Sequence, residues 1–147
     1  MDTRTAKTVL VATDFSEGSD EALERAIEIA TPSKAPVEIL HVIELAETFP
    51  VGLMDYGALY AGVDRELNTR AERVRRAGLA CETKIVDGRS ANEITKRGRE
   101  IDANLIVVGT HGRTGLAHVV MGSVAEQVVR HAASPVLSVP FSKKAAA

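Results

Sequence analysis

Apolar residues along the chain gather in five short runs: Val9 to Ala12, Val37 to Ile43, Cys81 to Val86, Leu105 to Val108 and Val136 to Val139. Four of these are nearly continuous and rich in β-branched side chains. Strands covered by helices on both faces have this pattern, as in a parallel sheet. The exception is Cys81-Glu82-Thr83-Lys84-Ile85-Val86, where charged and apolar residues alternate. Alternation leaves one side of a strand in water, so this run reads as an edge strand.

Between the runs the period lengthens. Ala22, Leu23, Ala26, Ile27 and Ala30 form one apolar stripe at helical spacing, and Val124, Ala125, Val128, Val129 and Ala132 form another. Ala91, Ile94, Gly98 and Ile101 give a weaker stripe. Ser90 with Glu93, and Ser123 with Glu126, have capping-box spacing, which predicts two helix starts. The segment from Gly62 to Ala77 reads as a further helix stopped by Gly78, with Arg65, Arg70, Arg73, Arg75 and Arg76 on a solvated face. Strand and helix alternate throughout, which predicts an α/β fold with right-handed crossovers. Glu44 to Ala61 breaks the rhythm and reads as a long loop, either a lid over the core or a flap over a ligand or partner subunit. No domain boundary interrupts residues 1–147, and Ser142 to Ala147 reads as a frayed tail.

Composition narrows the function. The 147 residues are about one domain's worth, enough to bury roughly two-thirds of the unfolded surface without a staple. A net charge of −2 lacks the basic footprint of a nucleic-acid binder, and 3% aromatics leave few rings for stacking bases. Nucleic acid is therefore not an expected partner. No apolar run approaches the roughly 18 residues of a membrane helix, and the short N-terminal run meets Asp14 too soon for a signal peptide. The single cysteine, Cys81, excludes an internal disulfide and reads as an ordinary strand residue. The expectation is a cytoplasmic protein with no membrane partner. His41 reads as a satisfied histidine within a strand. His118 and His131 have no partner at metal-ligand spacing, so a zinc site is not expected.

The chemistry concentrates in Val108-Gly109-Thr110-His111-Gly112-Arg113-Thr114-Gly115, continuing to Met121-Gly122-Ser123. It begins where the fourth strand ends. Glycines there let backbone N–H groups approach an anion, and Ser123 opens a helix whose first N–H groups carry partial positive charge. Ligands of open α/β sheets sit beyond the carboxyl ends of the strands, where Ala12, Thr13 and Asp14 also lie. Neither GxxxxGK[ST] nor GxGxxG after a strand is present. Two readings remain at this level: a phosphate loop, or glycines that make turns beside a serine that caps its helix.

The spacing Gly109, two residues, Gly112, nine residues, Gly122-Ser123 resembles the ATP-binding branch of the universal stress protein family. Three further segments extend the resemblance over nearly the whole chain: Val9-Leu10-Val11-Ala12-Thr13-Asp14-Phe15-Ser16, Leu40-His41-Val42-Ile43, and Ser134-Pro135-Val136-Leu137-Ser138-Val139. The resemblance implies a single doubly wound, five-stranded parallel sheet of order 3-2-1-4-5 with helices on both faces. The Cys81 to Val86 strand would lie at one edge and Val136 to Val139 at the other.

The resemblance also implies a site. Ala12, Thr13 and Asp14 would line its nucleoside end, and Val42 would meet the adenine edge through backbone groups. Val108 and Gly109 would border the pocket, with Gly109 and Gly112 close to ribose and phosphates. Gly122, Ser123 and the Val124 N–H would hold the phosphate chain, with Arg113 in reach of it. Asp14 would contact ribose or a Mg²⁺ carried by ATP. Ala125 stands where some relatives have a hydroxyl, which removes one phosphate hydrogen bond, about 1 kcal/mol. The implied function is a regulatory stress-response module, a homodimer through the Val136 to Val139 edge. Alternatives are a slow ATPase or phosphotransferase, or a nucleotide-free interaction protein of the same fold. No catalytic residue is assigned.

Overall fold

The five apolar runs are the strands of one sheet in the computed structural model, which describes residues 6–44, 55–110 and 121–142. In chain order the elements are β1 (Val9–Ala12), α1 (Glu17–Ala30), β2 (Val37–Ile43), α2 (Tyr56–Arg76), β3 (Cys81–Asp87), α3 (Ser90–Glu100), β4 (Leu105–Gly109), α4 (Ser123–His131) and β5 (Val136–Val139). The strands pair in the order β3-β2-β1-β4-β5, all parallel. Both edges are the expected ones, and β3 alternates in burial as its charge pattern requires.

Alternate side chains of each strand feed two cores. Val9, Val11, Ile39 and Val107 face α1 and α2, where Leu23, Ala26, Leu67 and Val74 cover them. Leu10, Leu40, Ile106 and Val108 face α3 and α4, where Ile94, Ala125 and Val128 cover them. With both faces buried, the central strands carry almost no polar side chains, and this explains their continuous apolar runs. No helix among the described residues is long and apolar enough to cross a membrane.

Several local expectations are corrected. Helix α2 begins at Tyr56, so Tyr56 to Ala61 are helical rather than loop. Asp55 caps the helix by accepting the Ala58 N–H at 3.0 Å. Gly57 and Gly62 masked this start, because glycine weakens a helical reading. The rest of the expected loop, 45–54, lies outside the described residues. The two capping boxes do not form. Ser90 and Ser123 are the first residues of α3 and α4, and the caps are Arg89 and Gly122, neither with a side-chain cap bond. Glu44 Oε1 accepts the Ser90 N–H instead, at 2.7 Å. The α4 stripe is narrower than its sequence: Ala125 and Val128 are buried, whereas Val124 and Val129 are exposed. This helix packs on α3 and β5 at the side of the sheet, so one narrow face suffices.

The arginine face is also not uniform. Arg65, Arg75 and Arg76 are exposed and Arg73 is half-buried, but Arg70 is buried. Cys81 is buried as a strand residue, and desolvation pushes its thiol up to about 11. At the C-terminal side, Ser142 donates its N–H to Glu21 at 3.1 Å, and 143–147 lie outside the described residues.

One ion pair fixes α3 to the sheet. Glu38 of β2 is only 5% exposed. Arg97 donates from Nε and Nη2 to its two carboxylate oxygens, at 2.6 and 2.9 Å. The Glu38 hydrogen bond raises the Arg97 pKa, so the guanidinium stays charged. Arg97→Met strands the Glu38 carboxylate and should cost about 3–5 kcal/mol in urea unfolding. Adding Glu38→Leu should recover most of that loss, because a buried pair exchanged for apolar residues is often neutral.

Candidate functional site

Strands β1 and β4 are neighbours, but the chain leaving them turns to opposite faces. After β1 it enters α1 on one core, and after β4 it returns as α4 on the other. A crevice must open between the two departures. It holds a cavity of about 280 Å³. Nine residues expected at the site line it: Ala12, Thr13, Asp14, Val42, Val108, Gly109, Gly122, Ser123 and Val124. Gly112, Arg113 and His111 lie outside the described residues. Ala125, expected beside the phosphates, lines it too, and five lining residues were not anticipated: Leu40 and Ile94 on the apolar side, and Ser19, Ser90 and Thr110 on the polar side. Leu40 was legible in principle, being two residues before Val42 on the same face of β2. Nothing local marks Ser19 or Ser90.

The turn from β1 into α1 is tightly bonded. Thr13 Oγ1 accepts the Phe15 N–H at 3.0 Å and lies 3.0 Å from Ser19 Oγ. Asp14 Oδ1 accepts the Ser16 N–H at 3.0 Å and the Ser16 hydroxyl. Ser16 in turn caps α1, its Oγ accepting from the Ser19 N–H. Asp14 thus shapes the turn and lines the cavity at once. Phe15 carries φ of +67°, a left-handed conformation that costs a bulky residue about 1–3 kcal/mol. Its ring stacks on His41, with centroids 4.3 Å apart, and the Arg70 guanidinium covers it at 4.9 Å. His41 Nδ1 donates to Thr13 O at 2.7 Å, so the histidine is satisfied, though half-buried rather than enclosed.

Strand β2 outruns β1. The register ends at Ala12 opposite Leu40, and Leu40 O accepts the Thr13 N–H at 2.9 Å. Backbone groups alternate sides along a strand, so the Val42 N–H and C=O point the same way as those of Leu40, past the end of β1. They form an amide edge beside the apolar side chains of Leu40, Ile94 and Val108.

The opposite end of the cavity is the start of α4. The first intrahelical bond runs from the Glu126 N–H to Gly122 O. The N–H groups of Ser123, Val124 and Ala125 precede it, and no side chain caps them among the described residues. Ser123 therefore does not cap its helix. Gly122 donates its own N–H to Thr110 O at 2.6 Å, which draws the helix start against the end of β4.

Packing alone requires glycine at Gly122 and disfavours a side chain at Gly109. A Cβ on Gly122 would sit 2.6 Å from Thr110 O, and one on Gly109 would sit 3.0 Å from Gly18 O. Among the described residues Asp14 is the one titratable residue lining the cavity, and they contain no cluster of three or more potential metal-ligating side chains.

The Universal stress protein family model matches residues 5–140. The chain belongs to the universal stress protein family. It is 36% identical to the universal stress protein MJ0531 of Methanocaldococcus jannaschii, over 94% of this chain and 84% of that protein. It is 32% identical to the universal stress protein YxiE of Bacillus subtilis, over 89% of this chain and 97% of that one. Among solved structures, the M. jannaschii protein MJ0577 superposes with a TM-score of 0.83 at 28% identity, covering 95% of this chain and 99% of its own. A universal stress protein in complex with cAMP superposes with a TM-score of 0.73 at 29% identity, covering 94% and 98%.

Because a Cβ at either glycine meets backbone rather than a movable side chain, Gly109→Ala and Gly122→Ala should each destabilise the protein by about 1–3 kcal/mol. Thermal unfolding without ligand measures this directly.

Proposed function

We propose that this universal stress protein binds an adenine nucleotide, ATP with Mg²⁺ first among them, in the cavity between β1 and β4. The observation that carries the reading is the uncapped α4 N-terminus facing the cavity, with N–H groups and a dipole that suit phosphate. The far end supports it. The Val42 amide edge offers one donor and one acceptor beside apolar walls, which suits adenine. The cAMP complex of a 29% identical relative adds support for this ligand class.

The remaining roles follow from chemistry. Asp14 holds ribose hydroxyls or a cation that arrives with the phosphates. Mg²⁺ commonly takes one or two carboxylates plus substrate phosphates, so the one carboxylate that lines the cavity among the described residues suits a nucleotide-borne ion better than a resident one. Such an ion would neutralise phosphate charge. Gly112 and Arg113 complete the phosphate end by family resemblance. Phosphoryl transfer would need a positioned base, and none is assigned. The reading that the family resemblance favours is a cytoplasmic regulatory module governed by nucleotide occupancy.

Among the described residues β5 pairs only with β4. Its outer edge, blunted by Pro135 and Pro140, is proposed to pair with a second copy. Light scattering at micromolar concentration should give the dimer mass, and a monomer mass would sink this part.

Ser123→Asp tests the site without opening the fold. A carboxylate in the first turn of α4 favours the helix dipole but repels phosphate. Mg-ATP at about 100 times its Kd should raise the wild-type Tm by about 5–10 °C. Ser123→Asp should keep the unliganded Tm and lose most of that rise. No wild-type shift with millimolar Mg-ATP, AMP or cAMP would overturn the reading.

A further inference from the structure

Arg70 lies outside the cavity, yet it grips the turn that builds one wall of it. Its side chain is 9% exposed. Nε donates to Asp20 Oδ1 at 2.7 Å, Nη1 to Glu66 Oε2 at 2.8 Å and Nη2 to Phe15 O at 3.3 Å. The guanidinium plane also covers the Phe15 ring. Docking α2 on α1 does not need all of this, since Arg73, one turn on, already pairs with Glu24 of α1.

The extra contacts converge on Asp14. The peptide before it is held through Thr13 O by His41 from β2. The peptide after it is held through the Phe15 N–H by Thr13 Oγ1. The next carbonyl, Phe15 O, is held by Arg70 from α2. Phe15 is meanwhile kept in a left-handed conformation that a bulky side chain avoids. Its ring is sandwiched between His41 and Arg70. Released from Arg70, the residue would relax toward negative φ and swing Asp14 and Thr13 away from the cavity.

We propose that Arg70 is a positioning residue of the nucleotide site, holding Phe15 left-handed so that Thr13 and Asp14 face the ligand. The proposal rests on the cavity being a nucleotide site. Lysine cannot replace Arg70, because an ammonium has no planar fork to reach a carbonyl, two carboxylates and a ring together.

The test is a double-mutant cycle read by isothermal titration at 10 °C with Mg-ATP, AMP and cAMP. Arg70→Lys should weaken the tightest of these about tenfold, the size of coupling seen between residues in contact. Glycine adopts φ above zero freely, so Phe15→Gly removes what Arg70 restrains. In that background Arg70→Lys should change Kd by less than about twofold, while lowering Tm in both backgrounds through its lost ion pairs. A merely structural role would move Tm in both and Kd in neither. Phe15→Ala against Phe15→Gly gives a second reading that leaves Arg70 intact, and alanine should bind more weakly because it resists left-handed φ. An unchanged Kd in Arg70→Lys, an equal loss in both backgrounds, or equal binding by the alanine and glycine variants would overturn the proposal and leave the nucleotide reading standing. Absence of wild-type binding to all three nucleotides would overturn both.

Discussion

The site depends on the reversal of direction between two adjacent strands. The chain leaves β1 for α1 on one face and returns after β4 as α4 on the other, so a crevice opens between the ends of the two strands. Beside the side chains of Thr13, Asp14 and Ser19, the site presents backbone groups that strand pairing and helix pairing have left over. The Val42 edge exists because β1 stops at Ala12 while β2 continues to Ile43. The α4 donors exist because the first turn of any helix lacks acceptors.

Much of this was readable in the chain, for physical reasons that can be stated. Strands covered by helices are nearly continuous in apolar residues, so the runs of β1, β2 and β5 stand out with their observed limits, Glu38, His41 and Ser138 being the interruptions. The glycine spacing and the Asp14 turn marked the cavity because close backbone approach restricts residue type. Helix starts were less readable. A serine three residues before a glutamate serves as a cap or as the first helical residue, and tertiary packing decided for the latter at both Ser90 and Ser123. Arg70 was unreadable for a different reason. Its neighbours Arg65, Arg73, Arg75 and Arg76 share its chemistry, and only the approach of α1 and the Phe15 turn distinguishes it. Long-range partners leave no trace in local pattern.

The glycines also bear on how much weight a motif can carry. Gly122 is required by Thr110 O, and Gly109 is favoured by Gly18 O, whether or not a ligand binds. Their spacing therefore reports the packing of the fold before it reports any ligand. The link to function is one step longer. The Thr110 carbonyl, 2.6 Å from the Gly122 N–H, excludes any side chain at the N-cap of α4. A glycine cap has no oxygen to offer the first turn. Among the described residues no side chain caps Ser123, Val124 and Ala125, so their N–H groups look outside the helix for acceptors. Close packing thus favours the glycine, the glycine leaves the cap without a side-chain acceptor, and on that cap the proposed phosphate contact rests.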